Sequence, residues 1–69
     1  METFVPTSTN IDRVEYDEEA KEMRVYFKQG TAYLYRGVPR DQFFGIQHAR
    51  SAGEYFARQI RLQFPYEEV

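Results

Sequence analysis

The chain contains no cysteine, so no disulfide can staple it and no thiolate can hold a metal ion. Only one histidine is present, and tryptophan is absent. No apolar run approaches the roughly 20 residues that a membrane-crossing helix requires. The opening METFVPTSTN also lacks the basic stretch and apolar core of a secretory signal. A soluble cytoplasmic protein that needs no membrane and no cofactor is the expectation.

What the chain does have is aromatic carbon. Six Tyr and six Phe make up 17% of 69 residues, a rich supply for a domain near the lower size limit of independent folding. The composition suits one packed domain over residues 1–69. Residues 1–9 read as an extended or frayed lead-in and residues 65–69 as a short tail.

Charge is unevenly distributed. The net charge is −2, yet residues 1–35 hold seven acids against four cations, while residues 36–64 hold five cations against Asp41 and Glu54. All five of those cations are arginines: Arg36, Arg40, Arg50, Arg58 and Arg61. The guanidinium fork is the side chain best matched to phosphate or carboxylate, so a phosphate-binding face stands beside the simpler reading of a solvated helix surface.

Periodicity places the elements. Val14 and Tyr16 share one face of a first strand, Asn10 to Tyr16, which Ile11 could join only through a bulge. The acidic stretch Asp17 to Glu22 reads as a solvated turn, since no further ligand follows at a metal-binding spacing. Met23, Val25 and Phe27 then alternate with Arg24 and Tyr26. A Lys28-Gln29-Gly30 loop, with only Gly30 at positive φ, leads to the strand Thr31 to Arg36. In that register Val25 faces Tyr33 and Met23 faces Tyr35, which turns both tyrosines to the core and leaves Tyr26 and Leu34 on the opposite face. A two-residue loop would swap the faces and expose the tyrosines as a stacking pair.

Pro39 suits the first position of a helix running to about Ala49, which offers Phe43, Ile46 and, as a third candidate, Phe44 to the core, with Gly45 marking close packing. The lone His48 reads as a surface residue. Ser51-Ala52-Gly53-Glu54 matches a capping box, which accounts for Ser51 better than a nucleophile paired with His48. A second helix is expected from there to Pro65, burying Phe56, Ile60 and Phe64 at i, i+4, i+8. The expected architecture is therefore α+β: a three-stranded antiparallel meander followed by two α-helices on one face, βββαα.

The order of these motifs resembles the KTSC domain. It is carried by the strand ending Tyr16-Asp17, RVYFKQG, Tyr33-Leu34-Tyr35, Val38-Pro39, and Arg50-Ser51-Ala52-Gly53-Glu54-Tyr55-Phe56 leading to Ile60-Arg61. That module is named from the C-terminus of some lysyl-tRNA synthetases and also occurs as a free-standing bacterial or phage protein. The resemblance implies Tyr33, Tyr35, Val38, Pro39, Ser51 and Gly53 as motif positions. It implies no catalytic set, and RNA binding chiefly by its synthetase context and its Tyr-x-Tyr motif. Leu34 departs from the family pattern, in which that position is often polar.

Two functions are carried forward. The first is a non-catalytic RNA-binding module, with Arg36, Arg40, Arg50, Arg58 and Arg61 on phosphates and an exposed Tyr26, or the tyrosine pair in the other register, stacking a base. The alternative is a protein-interaction or self-associating domain that uses the open sheet face, anchored by Tyr26 and Leu34 with Arg24 at the rim. No paired acid and base, metal cluster or phosphate loop points to an enzyme.

Overall fold

Gly30 sets the register of the central hairpin. In the computed structural model, which describes Met1–Val69, Gly30 has φ +110°, and its amide donates to the Phe27 carbonyl at 2.9 Å. The loop is thus the three-residue Lys28-Gln29-Gly30, and Val25 pairs with Tyr33 and Met23 with Tyr35. These residues belong to β3 (Glu22–Phe27) and β4 (Ala32–Arg36). The preceding strand, β2 (Ile11–Asp17), pairs with β3, and its register shifts between Ile11 and Arg13. That bulge returns Ile11 to the face of Val14 and Tyr16, and all three are fully buried.

The sheet has five strands rather than the three expected. β1 (Glu2–Phe4) pairs along β2, and β5 (Tyr66–Glu68) pairs along β4, giving an antiparallel meander in the order β1-β2-β3-β4-β5. Within residues 1–9 the lead-in is extended, with Glu2–Phe4 paired as a strand, and the short tail 65–69 holds the strand Tyr66–Glu68. Strands of three residues carry too little alternation to be read from sequence, and pairing with a neighbour holds them: the Arg36 amide donates to Pro65 and the Val69 amide to Ala32.

Helix α1 (Arg40–His48) follows β4. Pro39 is not its first helical residue but the cap before it, extended at φ −71°, ψ 157°. Phe43 and Ile46 are buried as expected, whereas Phe44 is 60% exposed and stacks on His48 at 4.1 Å. Gly45 lies against Tyr55, whose hydroxyl donates to Gln42 at 2.8 Å.

The second helical segment departs from expectation. α2 (Ala52–Tyr55) is one α-turn, capped by the Ser51 hydroxyl, which accepts from the Glu54 amide at 3.2 Å. The chain then widens into a π-helix over Phe56–Ile60, closed by the Arg61 amide donating to the Phe56 carbonyl at 2.9 Å. Helix geometry ends there rather than at Pro65. Phe56 and Ile60 are buried and Phe64 packs at the edge of the core.

Both helical segments lie on the face that carries Ile11, Val14, Tyr16, Met23, Val25 and Tyr35, which with Val38, Phe43, Ile46, Ala52, Phe56 and Ile60 form one apolar cluster. Tyr16 ties the layers together. Its ring stacks on Phe43 at 5.1 Å, and its hydroxyl donates to the Val38 carbonyl at 2.7 Å. Neither helix is long and apolar enough to cross a membrane.

Candidate functional site

The five arginines of residues 36–64 divide into two groups. Arg36 lies 2.8 Å from Glu67 and 3.8 Å from Glu22, and Arg40 pairs with Glu2 and with Glu18. Each of these guanidinium groups holds its partner's place: Glu67 beside Arg36 and Glu2 beside Arg40 have carboxyl pKa values below the usual carboxylate range, chiefly through the hydrogen bond from the arginine. Arg36 and Arg40 thus tie the two edge strands to the rest of the fold. As phosphate ligands they would have to exchange a carboxylate for the phosphate, which Arg50, Arg58 and Arg61 would not.

Arg50, Arg58 and Arg61 are exposed and make no ion pair. They surround the second helical segment. Arg50 and Arg58 border a shallow groove that also includes Glu54 and Tyr55. Arg50 borders a second groove with Thr7 to Asn10, Gly53, Glu54 and Ala57. Glu54 is the one carboxylate within this arginine cluster. Gly53 is not demanded by packing, because an added Cβ would meet only Asn10 Nδ2 and Ser8 Oγ, both at an ordinary 3.9 Å.

Asn10, Gly53 and Ala57 continue from that groove into a cleft of ≈ 410 Å³ at the β4–β5 end of the sheet. Its walls are aromatic. Phe56 meets Phe27 and Tyr35 edge-on, each at 5.5 Å, while Tyr66 lies 5.4 Å from Tyr35 and 5.7 Å from Tyr33. Arg61 stands in the same wall, and the carboxamides of Asn10 and Gln29 complete the lining. The π-helix puts Arg61 there: closing from i to i+5 sets it over Phe56, where an α-helix would have set Ile60.

Tyr35 is 2% exposed, and its hydroxyl makes no hydrogen bond within the protein, yet no buried side-chain polar atom is left without a partner. The hydroxyl therefore opens into the cleft. Burial first, and then the neighbouring Tyr66 and Tyr33, push its pKa up to about 12, with the positive charge of Arg61 acting the other way. Tyr33 and Tyr35 are core-facing, as the turn chemistry required, and the same face becomes a cleft wall where the helical cover ends. Core and contact surface are one set of rings.

The opposite sheet face offers less than expected. Leu34 is not a surface anchor but 6% exposed, flanked in the sheet by Arg24 and Glu67. Nor is Tyr26 a free aromatic: it is half-buried, with the Arg13 guanidinium 3.8 Å over its ring and its hydroxyl donating to Glu15 at 3.0 Å. A partner would have to displace both. The acidic turn is similarly occupied, since Asp17 Oδ1 accepts from the Glu19 and Ala20 amides and Glu18 pairs with Arg40.

Sequence reading missed Tyr66, Asn10 and Gln29 as lining residues. Tyr66 sits in what looked like a tail, and the two carboxamides carry no motif. The one available signal was the aromatic after Pro65, a residue type favoured in strands.

A model of the KTSC domain matches residues 7–64 of this chain. Among solved structures, the crystal structure of a KTSC domain protein from Yersinia pestis superposes with a TM-score of 0.89 at 26% identity, covering 99% of this chain and 96% of that one. No protein with a curated description matches the chain.

Proposed function

The chain belongs to the KTSC domain family, and from that footing we propose that it is a small non-catalytic module that binds single-stranded RNA across the arginine-bearing surface of its second helical segment. One observation carries the reading. Of the five arginines in residues 36–64, Arg50, Arg58 and Arg61 have no carboxylate partner: Arg61 lines the aromatic cleft, Arg50 borders the groove that continues into it, and Arg58 borders a groove that meets the Arg50 one, while Arg36 and Arg40 are engaged in the fold. Cationic groove and aromatic wall together are the two components of single-strand binding, in which phosphates supply charge and bases supply stacking. A duplex has no unstacked base to offer such a wall.

The acidic total charge sets the expected strength. With Arg50, Arg58 and Arg61 on three phosphates, the logarithm of affinity should fall with the logarithm of salt at a slope of about −2, at roughly −0.7 per contact on a single strand. Titration of a labelled single-stranded RNA at several salt concentrations measures it. Changing Arg58→Ala and Arg61→Ala together should reduce the slope to about −0.7, whereas Arg36→Ala should leave it unchanged. Salt-independent binding, or indifference to the double change, would refute the reading.

A further inference from the structure

The cleft has its own chemistry, apart from the arginines outside it. Among its ten lining residues there is no carboxylate, and its one charge is the guanidinium of Arg61. With Arg61 as its one charge the cleft favours an occupant that is flat, apolar on its faces and anionic at one end over a cationic one. Its ≈ 410 Å³ lies within the roughly 300–1,000 Å³ of small-ligand clefts.

Polar groups are placed around the aromatic walls. The Tyr35 hydroxyl, on a ring 2% exposed, has no partner within the protein. Asn10 Oδ1 accepts from the Thr9 hydroxyl, which leaves its Nδ2 free of that bond. Gln29 Nε2 donates to Thr31, which leaves its Oε1 free. The rim thus offers a donor, an acceptor and a hydroxyl able to act as either, the complement of a base edge. Open space above Gly53 and Ala57 joins this rim to the Arg50 groove.

From this arrangement we infer that the cleft is a pocket for one unstacked nucleobase, which lies against the exposed Tyr66 and the half-buried Tyr33, with the Tyr35 hydroxyl at its edge, while Arg61 holds its phosphate. The inference rests on the RNA-binding reading for its polymer context and adds the place where a base is taken. Electrostatic binding along the arginines needs no such pocket, so the two can fail separately.

The test uses the full chain, with uridine 5′-monophosphate, uridine, a short oligouridylate and an abasic backbone of the same length as probes. Backbone amide spectra should show saturable shifts at Gly53, Ala57 and Arg61 on adding the monophosphate. Uridine should bind more weakly, with the difference lost in Arg61→Ala. Oligouridylate should bind about 5- to 150-fold tighter than the abasic backbone, the range that one stacked base supplies. Ala57→Phe, which fills the cleft from an exposed helical position, should abolish the monophosphate shifts and bring oligouridylate down to the abasic level. Tyr66→Ala, at the sheet edge, provides a second variant should the first fail to fold. Arg50→Ala should weaken both polymers alike.

Equal affinity for the two polymers, together with indifference to the cleft variants, overturns the pocket while leaving the RNA reading standing. Cleft shifts with the monophosphate but no salt-dependent polymer binding support the pocket and overturn the polymer reading. Shifts confined to Arg50 and Arg58 overturn the pocket in favour of a bare phosphate site. Tighter binding of N-acetylphenylalanine amide than of the monophosphate overturns it in favour of a protein side chain.

Discussion

Replacing Gly45 by alanine should destabilise the protein, although helix propensity alone predicts the opposite. In an exposed helix interior the change would gain about 1 kcal/mol. Here a Cβ on Gly45 would fall inside the van der Waals envelope of the Tyr55 hydroxyl and 2.5 Å from Tyr55 Cζ. The ring must move, and it is held by its bond to Gln42 and by packing against the core. Overpacking of this kind costs about 1–3 kcal/mol, so the clash outweighs the propensity gain or cancels it. At about 4–8 °C per kcal/mol for a domain of this size, the net loss of up to about 2 kcal/mol lowers the Tm by up to roughly 16 °C. Truncating the obstacle should reverse the sign: in a Tyr55→Ala background, Gly45→Ala should raise the Tm by about 2–8 °C, as about 0.5–1 kcal/mol of propensity is expressed. Thermal unfolding of the four proteins, followed by circular dichroism, closes the cycle. The same effect of Gly45→Ala in both backgrounds would refute the argument that contact with Tyr55 selects the glycine.

Tyr16→Phe removes the buried hydrogen bond to the Val38 carbonyl while keeping the stack on Phe43, and should cost about 1–2 kcal/mol in urea unfolding; Tyr26→Phe, on the solvated face, should cost under about 0.5 kcal/mol. Ser51→Ala removes the cap on the Glu54 amide and should cost about 1 kcal/mol. Because the Tyr35 hydroxyl has its pKa raised to about 12, the folded state retains that proton where the unfolded chain, at about 10, has lost it. Stability from this group is complete below about pH 10 and is lost as pH rises toward about 12. In a spectrophotometric titration Tyr16 and Tyr55, raised by burial, and Tyr35 should ionise after the other tyrosines, and Tyr35→Phe should remove the step at about 12.

Where a local rule and the core agreed, the fold could be read in advance. The alternation of Met23, Val25 and Phe27 with Gly30 at the turn left one register in which both tyrosines face inward, and Ile11 could join Val14 and Tyr16 only by a bulge, which it does. Gly45 and Ser51 were also readable, each having a single steric or capping role. The edge strands were not, since ETF and YEE have no period of their own and exist by pairing. The same residues decided the arginines: nothing in the sequence joins Arg40 to Glu2, 38 positions away, or Arg36 to Glu67, 31 away. Leu34 and Tyr26 were misplaced because a sheet face called open is partly closed by its own long side chains, which lie along it.

The π-helix links these readings to function. Phe56 and Ile60 at i, i+4 imply an α-helix, and on that geometry Arg61 would follow the turn away from Phe56. The wider closure keeps both Phe56 and Ile60 buried and also sets Arg61 over Phe56, in the wall of the cleft. Widened turns cost hydrogen-bond geometry and recur at functional sites, and this one places the sole charge of an aromatic cleft beside the unpaired hydroxyl of Tyr35. If the widened turn serves the cleft, then Arg61→Ala should leave the π-helix and the Tm unchanged while abolishing the preference for uridine 5′-monophosphate over uridine. A large loss of stability in Arg61→Ala would instead mean that the arginine is held there by the fold, and the functional account of the widened turn would fail.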